Sequence, residues 1–201
     1  MHVSLILGHP HPGSFNHAIA EAARDVLVSA GHTVAFHDLY AERFDPILPY
    51  EEIPTDAKVD PVVEAHCREV AAADGFIFVH PDWWHMPPAI LKGWVDRVLR
   101  SGVAYAYRPD ETGKVSLVTL LKAQRALIFT TSNTPAAMEA EMFGDPLENL
   151  WTRGILNYCG IKDVTRTNYS VVVISTLADR EAWLADVRSR VARAFPPDAV
   201  L

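Results

Sequence analysis

The chain has 201 residues, 49% of them apolar, and a formal charge of −7 from 25 acidic and 18 basic residues. That is enough for a single domain over 1–201 with a sizeable core. The basic residues form no run, which excludes the concentrated positive face that nucleic acid or an anionic membrane surface requires.

The opening MHVSLILGHPHPG has no basic leader, and its apolar run breaks at Gly8 and Pro10, so neither a signal peptide nor a membrane span is expected. Val3 to Leu7 reads as a buried strand. A helical pattern starts at Ser14 and stops at Gly31. His32 to His37 predicts a second strand, followed by an irregular, proline-bearing segment from Leu39 to about Asp60. Asp60-Pro61 is an N-cap with proline at the first helical position, and the helix runs to about Ala73. Cys67, on this helix, and Cys159 sit in apolar surroundings and read as buried reduced thiols of a cytoplasmic protein.

Gly75 to Val79 predicts the third strand and Ile90 to Leu99 a helix, with a long connection from Ser101 to Lys122. Ala126 to Phe129 is the fourth strand, closed by the loop Thr130-Thr131-Ser132-Asn133. Asp145-Pro146-Leu147-Glu148 repeats the N-cap signal with glutamate placed as in a capping box, and its helix ends at Gly160. Val171 to Ile174 (VVVI) predicts the fifth strand and Arg180 to Phe195 the last helix. Short, continuous apolar strands alternating with helices imply a parallel sheet buried between two helix layers. The expected architecture is a flavodoxin-like three-layer sandwich with strand order 2-1-3-4-5. In such sheets ligands lie beyond the carboxyl ends of the strands at the switch point. That gathers three loops: Gly8 to Asn16, His80 to Pro87 and Thr130 to Asn133.

The first loop, GHPHPGSFN, is neither a dinucleotide fingerprint nor a Walker loop. Pro10 and Pro12 carry no N–H, so donors to an anion must come from Gly13, Ser14, Phe15 and Asn16 at the helix start. Ser14 reads equally as a plain N-cap. His9 and His11, with His80 or His85, lack an accompanying cysteine or carboxylate cluster, and no metal is expected. The second loop, HPDWWHMPP, sets two adjacent tryptophans between prolines. Neighbours in extended chain point to opposite sides, so both indoles cannot easily be core. A rigid aromatic wall suits a flat heterocycle, with the N–H groups of Trp83, Trp84 and His85 free to meet its heteroatoms. The third loop supplies small hydroxyl and amide donors. One phosphate site and one ring slot describe a flavin mononucleotide.

GHPHPGSFNHAI, HPDWWHMPPAILKGWVDRVL, NYCGI, DLYAERFDPIL and GVAYAY together resemble the NAD(P)H:quinone oxidoreductases, the DT-diaphorase-like group of flavodoxin-like flavoproteins, over nearly the whole chain. The resemblance implies a ping-pong reductase that passes hydride from NAD(P)H to quinones or similar small aromatic acceptors. It implies FMN, with FAD the alternative, and a homodimer with the active site at the interface. His9, Ser14, Phe15 and Asn16 would hold phosphate and ribityl chain. Pro81, Asp82, Trp83 and Trp84 would line the ring, and Thr130, Thr131, Ser132 and Asn133 would meet its pyrimidine edge. His85, Tyr105 and Tyr107 are the implied catalytic residues, the tyrosines matching those that such dimers place over the partner's flavin. The third loop departs from the family pattern. Met138 stands where well-known members have a tyrosine, and Phe143 or Gly144 stands near their histidine, so that proton relay is missing. A flavin-binding regulatory or redox-sensing subunit is the rival reading.

Overall fold

The computed structural model describes residues 1–197. In chain order it contains β1 (His2–Leu7), α1 (Phe15–Ser29), β2 (Thr33–Asp38), α2 (Pro61–Ala72), β3 (Gly75–Pro81), α3 (Ala89–Val98), β4 (Tyr105–Pro109), β5 (Val115–Thr119), β6 (Arg125–Ser132), α4 (Ala136–Met138), α5 (Pro146–Asn149), β7 (Asp163–Ser170) and α6 (Leu177–Ala194). Both α4 and α5 run on as π-helical turns, Glu139–Phe143 and Leu150–Leu156.

The main sheet is parallel throughout, in the order β2-β1-β3-β6-β7. Setting aside the small antiparallel hairpin β4–β5, this is the expected progression of a flavodoxin-like sheet. Successive side chains alternate between its faces. Val3, Leu5, Leu7, Ile77, Val79 and Phe129 pack under α1 and α6, whereas Ile6, Phe76, Phe78 and Ile128 pack under α2, α3 and α5.

The helix starts are set locally. Ser14 caps α1 by accepting the His17 N–H, Asp60 caps α2 by accepting from Val62, and Asp145 caps α5 by accepting from Glu148. Helix α6 begins three residues earlier than expected, because Thr176 and Asp179 form a reciprocal capping box.

Three expectations are corrected. The fifth strand is Asp163–Ser170, not VVVI. It lies at the sheet edge, where faces are only half covered, so its sequence is mixed and polar rather than continuously apolar. Val172–Ile174 instead forms a 3-10 turn, with Val173 70% and Ile174 78% exposed. The connection after α3 carries the hairpin β4–β5. Thr130, Thr131 and Ser132 are not loop residues: all three pair with Asn168–Ser170, and the two threonines also with His80 and Pro81, as the last rungs of β6.

Candidate active site

The carboxyl ends of β1, β3 and β6 open into a cavity of about 570 Å3. His9, Ser14, Phe15 and Asn16 line it from the first loop. Pro81, Asp82, Trp83, Trp84 and His85 line it from the second, and Thr131, Ser132 and Asn133 from the third. Of the residues expected to hold a cofactor, Thr130 is the exception. It is fully buried behind the wall, where its hydroxyl receives Arg166 Nη1–H and donates to Asn168. Tyr105 and Tyr107 do not line the cavity; they lie on the hairpin, against the ring and the hydroxyl of Tyr158. Thr134, Phe143, Val172 and Val173 do line it and were not anticipated. The apolar run VVVI was the available signal for two of them.

At the anion end, Ser14 N–H is used by the His11 carbonyl, so Ser14 cannot donate its backbone N–H as expected. Its Oγ lies 2.8 Å from His17 Nδ1, and His17 Nε2 lies 3.1 Å from Asp38 Oδ2, which ties the loop to the end of β2. Phe15 and Asn16 open α1, and N–H groups in a first helical turn have no intrahelical acceptor. Asn16 is buried. Its Nδ2–H donates to Thr131 Oγ1 at 2.9 Å, and its Oδ1 has no partner among the described residues. His9 accepts the His11 N–H on Nδ1, and burial lowers its pKa, so the neutral ring carries its proton on Nε2.

At the ring end, Trp83 and Met86 exchange both backbone hydrogen bonds. Trp84 and His85 between them have φ of 57° and 59°, the geometry of a two-residue type I′ turn. The Trp83 N–H is therefore spoken for, contrary to expectation. Neither indole is core, with Trp83 43% and Trp84 93% exposed. The wall is anchored behind by His80, which donates Nδ1–H to the Pro81 carbonyl and accepts Trp151 Nε1–H at 2.9 Å. Complete burial holds His80 neutral, its pKa lowered to about 4.

The third segment spends its side chains on structure. Ser132 Oγ donates to the Thr134 carbonyl and accepts from Asn168, and Asn133 Oδ1 accepts the Val173 N–H. Glu139, from the π-helical turn, sends its buried carboxylate to His85 Nδ1 at 2.6 Å, and the ring of Phe143 packs 4.3 Å from the imidazole. Burial, then the charge of Glu139, raises the Asp82 carboxyl.

Donor atoms of Asp82, His85 and Glu139 lie within 4.8 Å of one another, as do those of His37, Glu42 and His66 outside the cavity. In the second group His37 is bonded to carboxylates on both nitrogens. Trp94 Nε1–H donates to His66 Nδ1, which puts the neutral ring's proton on Nε2 and leaves no lone pair there for a metal. Cys67 and Cys159 are buried and unpaired, and burial pushes both thiols up to about 11.

Comparison with known proteins bears on this site. Residues 1–192 match a family model described as a flavodoxin-like fold. The chain is 34% identical to an NAD(P)H oxidoreductase of Haemophilus influenzae, over 80% of this chain and 79% of that one. It is 32% identical to NAD(P)H dehydrogenase [quinone] 1 of Rattus norvegicus over 79% of its own length, and spans 64% of that longer protein. The structure of an NAD(P)H:quinone oxidoreductase from Methanothermobacter marburgensis superposes with a TM-score of 0.82, at 28% identity, covering 96% of this chain and 98% of that one.

Proposed function

The chain belongs to the flavodoxin-like fold family, and from that membership and its cavity we propose a flavin-dependent NAD(P)H oxidoreductase that delivers hydride to quinones or similar small aromatic acceptors. The observation that carries this reading is a single cavity with a helix N-terminus at one end and an exposed tryptophan turn at the other. Flavin mononucleotide fits the residues present. The N–H groups of Phe15 and Asn16 and the positive end of α1 suit one phosphate. The buried Asn16 Oδ1 lacks a partner among the described residues, and a ribityl hydroxyl would supply one. A single phosphate cradle favours FMN over FAD.

Bound there, the flavin would supply the hydride relay between nicotinamide and acceptor. The chain's own residues do the rest. Pro81, Trp83 and Trp84 form a wall for a planar ring, and His9 and Asp82 flank it. Thr131, Ser132 and Asn133 meet the pyrimidine edge chiefly through backbone, because Ser132 and Asn133 have committed their side chains elsewhere. Thr130 supports that edge from behind. His85 donates the proton that a reduced acceptor needs. Tyr105 and Tyr107 act across a homodimer, over the partner's cavity. Among the described residues no helix is long and apolar enough to cross a membrane. We place the protein, acting as one flavin-binding domain, in the cytoplasm.

Purified protein is expected to be yellow, to release a chromophore with the mass of FMN, to bleach anaerobically with NADH or NADPH, and to sediment as a dimer. A colourless preparation that takes up neither FMN nor FAD ends the flavin reading. A yellow protein that no nicotinamide bleaches points to a redox-sensing role instead.

A further inference from the structure

The reading above leaves unexplained why a carboxylate is buried in the wall of the cavity. Glu139 is 2% exposed; one oxygen meets His85 Nδ1 at 2.6 Å and the other has no hydrogen-bond partner among the described residues. A buried carboxylate with one hydrogen bond is unfavourable unless a positive charge or a shared proton accompanies it. Among the charged groups around the pair, Asp82, just before the His85 turn, adds negative charge. Arg166, on β7, is committed to Asp145 and Thr130. His85 is the proton carrier in contact with the carboxylate.

Local structure holds the imidazole in place. His85 sits in the left-handed region at φ 59°, inside a turn closed by Trp83 and Met86, and Phe143 packs against its ring. A carboxylate can only accept, so in the neutral ring the shared proton is on Nδ1. That leaves Nε2 as the ring's open nitrogen on a side chain that lines the cavity and is 31% exposed.

We propose that Glu139 is a positioning residue that fixes the tautomer and orientation of His85, so that His85 Nε2 passes the proton to the acceptor. This rests on the reductase reading. A quinone becomes a hydroquinone by gaining one hydride and one proton. The hydride brings both electrons from NAD(P)H. Nε2 first takes a proton from solvent, so the ring becomes an imidazolium with its Nδ1–H held on Glu139; the Nε2–H bond then breaks as an O–H bond forms on the acceptor, and its electron pair returns to Nε2. The nicotinamide half-reaction transfers hydride alone and does not need the pair. Loop, dyad and acceptor are thus coupled in only one half of the cycle.

Two measurements test this. Nitrogen-15 spectra of the histidine rings, on protein without turnover, are expected to show neutral His85 with its proton on Nδ1 in the wild type. Glu139→Leu should move it to Nε2, and Glu139→Gln, which keeps an acceptor, should leave it in place. Anaerobic stopped-flow separates the half-reactions. The acceptor step should slow about 100-fold in His85→Gln and about 10-fold in Glu139→Leu, while reduction by the nicotinamide stays within about twofold. Glu139→Gln matches the native volume and covers the case in which Glu139→Leu does not fold; it should slow the acceptor step about threefold or more through loss of charge. A wild-type tautomer in Glu139→Leu overturns the inference, and so does an acceptor step unchanged in both Glu139 variants. If the wild type takes up no flavin, the reductase reading fails instead, and the spectra still decide whether Glu139 sets the His85 tautomer.

Discussion

Trp84 combines two features that do nothing for folding. It is 93% exposed, and it holds φ at +57°, where a side chain with a Cβ is strained by about 1–2 kcal/mol. An apolar ring held in strained backbone and facing solvent is explained by a guest that covers it. Trp84→Gly should therefore raise the stability of the cofactor-free protein by about 1 kcal/mol, since glycine adopts this conformation freely. It should also weaken FMN binding by about tenfold through loss of the wall. Denaturant melts and flavin-fluorescence titrations check the two arms. A destabilised variant with unchanged FMN affinity would sink this account of the turn. The exposed tryptophans could be read from the HPDWWHMPP stretch, because two neighbouring indoles cannot both enter one core. The left-handed turn that presents them could not be read, because it depends on the Trp83–Met86 hydrogen bonds.

Among the elements, α3 shows how the ring-end wall is tied down. It follows the tryptophan turn directly and is locked to the long segment after β2. Arg97 on α3 is buried and forms a two-pronged pair with Glu52, and its Nη1–H also reaches the Asp45 carbonyl. Removing either partner of such a pair would strand a buried charge. The same segment passes so close to α3 that a Cβ on Gly93 would meet the Pro46 carbonyl oxygen at 2.2 Å. Glycine ordinarily weakens a helix interior by about 1 kcal/mol relative to alanine. At this position the sign reverses, because the obstruction is backbone and cannot swing aside. Gly93→Ala is expected to destabilise the protein by about 1–3 kcal/mol, read as a lower denaturation midpoint at unchanged slope. A stabilised variant would show that the segment yields easily. Helix starts were readable from Ser14, Asp60 and Asp145, because caps act within three residues. The edge strand was not, since VVVI is the more apolar run and only pairing with β6 selects Asp163–Ser170.

For the whole molecule, two histidines with opposite environments shape stability against pH. His80 is buried and neutral, its pKa lowered to about 4. The unfolded chain protonates near 6.5 and the folded one does not, so stability is full above 6.5 and falls as pH drops toward 4. The loss reaches about 3 kcal/mol at roughly 1.4 kcal/mol per unit. Burial of His9 and His66, which lowers both, acts in the same direction. His37 is the reverse case. Burial alone would lower it, but hydrogen bonds to Glu42 and Glu69 outweigh that and raise it to about 9. Its contribution is complete below 6.5 and is lost as pH rises through 9. The thermal midpoint should therefore peak near pH 6.5. His37→Gln should flatten the alkaline limb while leaving the His80 loss on the acid limb in place. A midpoint that climbs steadily to pH 9 would contradict this assignment.

Alone, the sequence determined the alternation of strands and helices, the parallel sheet, and the three segments that meet at the carboxyl ends of β1, β3 and β6. Those features follow from periodicity, caps and proline positions, which act over a few residues. Tertiary structure decided which run became the edge strand, that Thr130 faces Arg166 and Asn168 rather than the cavity, and that a hairpin occupies the connection after α3. It also decided that Glu139 meets His85. These outcomes depend on pairings between distant parts of the chain, 54 residues apart for Glu139 and His85. The free energy of such a contact comes from burial and hydrogen bonding that exist only once the sheet has brought its ends together.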